Sequence, residues 1–226
     1  ACVGISITFS LVFPVTSRAA APDDVLVMAK RIDDIISLDP AEVFEFTGAE
    51  VIANIYDRLV TFDVNDISQL EGGAAESWKI SGDGKTYRFV MRPNMRFASG
   101  NPVTAIDAAW SLQRVIWLGL SPSFILAQFG LTAENVEKRV RAEDAMTLVI
   151  ETDRAYAPSF LLYCLTAGVG SVLDRELVLA HEKDGDLGYE WLKQASAGSG
   201  PFSLIRWRAN EYVILEGDPG YWRGGP

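Results

Sequence analysis

Ala75-Glu76-Ser77-Trp78-Lys79-Ile80 leads through Ser81-Gly82-Asp83-Gly84 into Thr86-Tyr87-Arg88-Phe89-Val90. Arg96-Phe97-Ala98-Ser99-Gly100-Asn101-Pro102-Val103-Thr104-Ala105 follows, and together these residues decide the fold. The two apolar-alternating runs flank a segment with two glycines, which supply the positive φ that tight turns need, so they predict an antiparallel hairpin. Thr104-Ala105-Ile106-Asp107 predicts a capped helix start. A threonine oxygen accepts from free N–H groups of the first turn, and an acid three residues on suits the positive helix end. Ala108, Ala109, Leu112, Val115 and Ile116 continue that helix, which is expected to end near Gly119.

Outward from this stretch, Val25 to Ala29 reads as a strand and Gly48 to Val60 has apolar residues at helical spacing. Val136 to Arg141 and Thr147 to Thr152 predict a second hairpin, and Phe202 to Trp207 with Tyr212 to Glu216 a third. Pro158 to Leu165 predicts a buried helix opened by a proline whose missing N–H costs nothing there. Strands interspersed with helices imply an α/β lobe with a mixed sheet and β-hairpins, not a regular βαβ array.

The 226 residues are 49% hydrophobic and 22% charged, with a net charge of −10. That is ordinary globular composition, and its acidity argues against nucleic acid and anionic membrane surfaces, which require clustered Lys and Arg. Val3 to Val15 is apolar and nearly uncharged, and Ala19-Ala20-Ala21-Pro22 follows it. This is the pattern of an export signal over residues 1–21 without its basic n-region, and it predicts a soluble periplasmic protein beginning near Pro22. With Cys164 the one cysteine beyond that segment, no disulfide framework is expected.

A second block, Gly198-Ser199-Gly200-Pro201-Phe202 leading to Asp218-Pro219-Gly220-Tyr221-Trp222, completes a pair with the first. In this order the two blocks resemble the solute-binding proteins of the peptide/nickel class of ABC importers (family 5). Ser199 stands where Thr is common and Asp218 where Asn is common. Weaker matches at Ser37-Leu38-Asp39-Pro40 and Ile55-Tyr56-Asp57-Arg58-Leu59-Val60 extend the resemblance from about Val25 to Pro226. It implies a periplasmic-binding-protein-like (type II) lobe, incomplete here. Residues 22–226 would be the N-terminal lobe, truncated before the second one.

Catalytic groups are scarce. His181 is the only histidine and lies in a polar run at a predicted helix end; there is no Gly-x-Ser-x-Gly elbow, and no His/Cys cluster has zinc spacing. Asp63-Val64-Asn65-Asp66 lacks the glycine and closing glutamate of a calcium loop. The groups Gly72-Gly73 and Gly198-Ser199-Gly200 lack a phosphate-loop context and are expected to serve tight turns. Trp78, Trp207 and Trp222 are expected to be structural. No enzyme, metal or cofactor is expected.

The resemblance implies that Phe44, Phe46 and Thr47 line the ligand cleft, with Phe124 nearby after the Ser121-Pro122 break. It also places a cleft-facing segment at Thr166-Ala167-Gly168-Val169-Gly170-Ser171, where small residues let a ligand approach the backbone and an extended peptide could add as a strand. The implied function is capture of a peptide or related small solute, possibly a nickel chelate, between two lobes, with delivery to ABC permease subunits; the full-length protein is expected to be a monomer. A periplasmic peptide chaperone or sensor partner would use the same cleft, an exported hydrolase would depend on His181, and the solute itself stays open.

Overall fold

The computed structural model describes residues 21–226 except Val64. The chain divides into a unit of residues 1–30 and a unit of residues 31–226. The expected export signal lies outside the described residues but for Ala21. Residues 25–29 form no strand: they are exposed coil, with Leu26 91% accessible. An apolar run becomes a strand only where another segment completes its ladder, and no described segment pairs with this one.

In the larger unit α1 (Phe46–Ile55) precedes β1 (Val60–Phe62) and β2 (Leu70–Gly72), followed by β3 (Ala75–Ile80) and β4 (Thr86–Met91). The helix stops five residues short of Val60 because the next backbone groups are claimed elsewhere. Tyr56 N–H makes the last helical bond, Asp57 carbonyl accepts from Val172, and Leu59 donates to the Gly170 carbonyl while accepting from Gly73 and Ala75. The β3–β4 hairpin forms as its sequence predicts, with Trp78 opposite Phe89 and Ile80 opposite Tyr87. Gly84 takes φ 70 in the turn.

Helix α2 (Ala105–Leu118) carries the full capping box: Thr104 Oγ1 accepts from Asp107 N–H and Asp107 accepts from Thr104 N–H. It ends at Gly119 with φ 59, as expected. A 3₁₀ turn at Ser121–Ser123 leads to the short α3 (Phe124–Ala127). The second predicted hairpin is shorter than expected. Val136–Arg139 is a helical turn (α4), supported by Asn135, whose side chain accepts from Thr132 N–H. Only Val140–Ala142 (β5) and Thr147–Glu151 (β6) pair. Then come α5 (Pro158–Cys164), a 3₁₀ turn at Gly168–Gly170, α6 (Arg175–Ala180), α7 (Tyr189–Leu192), and the third hairpin, β7 (Phe202–Arg208) with β8 (Tyr212–Gly217).

The central sheet runs β3-β4-β6-β5. Every described ladder is antiparallel, so the mixed character of this α/β lobe lies in its alternation of helices and strands, not in strand direction. Helix α2 lies between two apolar clusters. Ala108, Leu112 and Val115 pack with Phe89, Leu148 and Phe129, whereas Trp110 joins Ile52, Ile55, Tyr56 and Leu173.

Candidate functional site

Three buried carboxylates hold the sequence blocks together. Asp39, from Ser37-Leu38-Asp39-Pro40, meets Arg114 of α2 in a two-pronged pair with Nη1–Oδ1 2.8 Å and Nη2–Oδ2 2.6 Å. Both side chains are inaccessible, and Arg114 Nε also donates to the Leu187 carbonyl. Asp174 caps α6 and accepts from Ser99 Oγ at 2.5 Å and Asn101 Nδ2 at 3.0 Å, which ties the loop before α2 to the start of α6. Asp57 accepts from Ser199 Oγ, Tyr221 Oη and Trp222 Nε1. Burial pushes the Asp57 pKa up, and the three donors partly offset this by stabilising the ionised form.

Gly198-Ser199-Gly200 reaches Asp57 by close approach and not by a tight turn. Neither glycine has a positive φ, and a Cβ on Gly198 would fall 1.8 Å from the Ile55 carbonyl oxygen. The structural reading of Trp78 and Trp222 fits their contacts. Trp78 is half-buried against the core beside Phe89, and Trp222 lies under the Arg92 guanidinium at 4.0 Å.

On this frame the segment before α1, the turn at Ser121–Ser123 and the turn at Gly168–Gly170 enclose a cavity of about 260 Å³. Phe44, Phe46, Ala167 and Gly168 of the expected site residues line it. Phe124 stands beside them, its ring edge-on to Phe44 with centroids 6.0 Å apart. These rings remain uncovered: Phe44 is 62% accessible, Phe46 95% and Phe124 55%.

The other expected residues lie elsewhere. Thr47 borders a separate polar depression of about 500 Å³ with Arg31, Asp33 and Asp34; this larger hollow lacks the aromatic surface of the first. Thr166 is buried, its hydroxyl donating to the Tyr163 carbonyl. Gly170 is also buried, and a Cβ there would fall 2.0 Å from the Leu165 carbonyl oxygen, so close packing accounts for it. The amides of Thr166, Ala167, Gly170 and Ser171 bond within local turns, so these four are not free to pair with a peptide as a strand edge would.

The cavity also contains groups not anticipated from sequence, chiefly Arg58, Glu45 and Ile52. Arg58 Nη1 donates to the Thr166 carbonyl at 2.7 Å, and burial pulls its pKa below the ordinary arginine value while leaving it charged at neutral pH. The Asp57-Arg58 charged pair set between apolar residues from Ile55 to Val60 was the available signal.

Away from the cavity, the His181 ring stacks on Trp191 at 4.2 Å and its Nδ1 meets the Leu177 carbonyl at 2.9 Å. Asp63 Oδ1 accepts from Asn65 and Asp66 N–H groups, so its carboxylate closes its own loop. Among the described residues no group of three or more His, Cys, Asp or Glu side chains could hold a metal, and no helix is long and apolar enough to cross a membrane.

The chain is 32% identical to the probable D,D-dipeptide-binding periplasmic protein DdpA of Escherichia coli, over 92% of this chain and 38% of that protein. Two solved structures share its fold. The mannopinic acid complex of the binding protein MoaA from A. tumefaciens R10 is 26% identical with a TM-score of 0.73, covering 86% of this chain and 37% of that one. The periplasmic binding protein DppA from Helicobacter pylori, in complex with peptide STSA, is 27% identical with a TM-score of 0.66, covering 84% and 38%. The chain thus spans less than two fifths of these relatives' length. Its lobe is of the type II periplasmic-binding-protein-like class, and such relatives are periplasmic binding proteins, not enzymes. Residues 69–226 match the model of the bacterial extracellular solute-binding proteins, family 5 Middle, and the chain belongs to that family.

Proposed function

We propose that residues 22–226 form the first lobe of an extracytoplasmic solute-binding component of an ABC importer, exported by a signal at residues 1–21. The protein captures a peptide or related small solute, a nickel chelate included, between this lobe and a second one, and delivers it to the permease subunits. It acts in the periplasm as a monomer, without catalysis, a cofactor or nucleic acid. Contacts with both lobes favour the closed form only by the difference in the ligand's affinity for the closed and open forms.

The observation that carries this reading is the uncovered aromatic group of Phe44, Phe46 and Phe124 beside a partly enclosed cavity. Such apolar surface on an otherwise well-packed lobe marks a binding face. Phe44 is more than half accessible, so truncating it costs little core packing. Phe44→Ala in the intact protein is expected to weaken binding across a di- and tripeptide panel by about tenfold or more while the urea midpoint stays close to the parent's. Unchanged calorimetric affinities would overturn the assignment.

A further inference from the structure

We infer that Arg58 anchors an anionic group of the ligand, a carboxylate carried on a peptide or apolar body, inside the cavity beside Phe44 and the turn at Gly168–Gly170. This deepens the proposed function and rests on the cavity being the ligand cleft. Arg58 lines it among Phe44, Ile52, Pro122 and Ile125. One Nη1–H bond to the Thr166 carbonyl holds the guanidinium in place and occupies only part of a five-donor fork.

What sets Arg58 apart is the company it lacks. Arg114, fully buried where Arg58 is only partly so, is neutralised by Asp39. Among the described residues no carboxylate pairs with Arg58, and burial alone perturbs it. Glu45 is the other charged lining residue, and its two oxygens accept from the N–H groups of Ile36 at 3.4 Å and Phe44 at 3.1 Å, not from Arg58. A partly desolvated cation without a counter-charge is costly, and an incoming carboxylate relieves that cost while matching the planar guanidinium with two parallel bonds. Apolar walls around it exclude water and favour a carboxylate on an organic body over a free inorganic anion.

The anion could be a peptide's terminal carboxylate or an acidic side chain, and calorimetry on the intact protein separates them with three probes: Ala-Phe-Ala, its C-terminal amide, and Ala-Glu-Ala amide. The parent is expected to bind at least one carboxylate-bearing probe about tenfold or more tightly than the neutral amide, as for a charge-assisted hydrogen bond. Arg58→Gln removes that preference, leaving the affinity for the neutral amide within about twofold, and Arg58→Lys retains part of it. Dependence of Ala-Phe-Ala alone on Arg58 identifies a terminal carboxylate, and of Ala-Glu-Ala amide alone a side chain. Equal loss of all three probes in Arg58→Gln, no loss, or no parental preference for a carboxylate overturns the inference. Phe44→Ala keeps the two readings apart: if it weakens all probes while Arg58→Gln acts without regard to charge, the cleft stands and only the anion anchor falls.

Discussion

Tyr221 donates its hydroxyl proton to Asp57 Oδ1 at 2.7 Å, across 164 residues of sequence. Trp222 and Ser199 donate to the other oxygen of the same carboxylate. Three separated sequence blocks therefore meet on one buried anion, which explains why a serine serves in place of threonine at position 199: only the hydroxyl is used.

Tyr221→Phe removes one donor to a charged, buried acceptor and leaves the ring. Hydrogen bonds to charged groups contribute about 1.5–3 kcal/mol, so the variant is expected to lose that much stability with an unchanged denaturant slope. A urea midpoint equal to the parent's would show that the bond contributes nothing net.

Asp57 should also leave a mark on the pH dependence. Its folded pKa lies above the unfolded 3.8, so its contribution is fully present below that value and is lost as pH rises toward the folded pKa. The stability of the parent relative to Asp57→Asn is thus expected to be greatest at pH 3–4 and to fall as pH is raised. A difference that grows with pH would mean that the three donors outweigh burial.

Breaking the buried Asp39–Arg114 pair from one side strands a charge. Arg114→Met is expected to cost about 3–5 kcal/mol, whereas adding Asp39→Asn, which keeps an acceptor for Ala41 N–H, recovers much of it. Additive losses in the double variant, measured by urea denaturation, would contradict this.

Gly198→Ala forces a methyl group against the backbone of α1 and is expected to cost about 1–3 kcal/mol, as overpacking does. Gly82→Ala is the control, because no atom lies within 4 Å of its Cβ position. Equal melting temperatures for the two variants would refute the close-approach account.

Legibility followed the range of the interaction. The β3–β4 hairpin, the capping box at Thr104 and Asp107, the stop at Gly119 and the proline-led α5 all depend on bonds spanning a few residues, so their residue types announce them. The expected helix through Val60 failed because long-range partners at Gly170, Val172 and Gly73 take the backbone after Tyr56. Part of the candidate site was legible too: Phe44, Phe46, Ala167 and Gly168 meet at one cavity, beside which Phe124 stands. Thr47, Thr166 and Gly170 lie outside its lining because the backbone turns them into the lobe or toward another hollow.

By itself the sequence determined the hairpins, the capped helix and, through the order of its two blocks, the family. The tertiary structure alone decided which charges are neutralised and which are not. Asp39 lies 75 residues from Arg114, so the sequence around Arg114 does not announce its partner. Only when the chain folds does one arginine meet a carboxylate while the other is left facing a cavity, because burial and counter-charge are properties of packing and not of neighbouring residues.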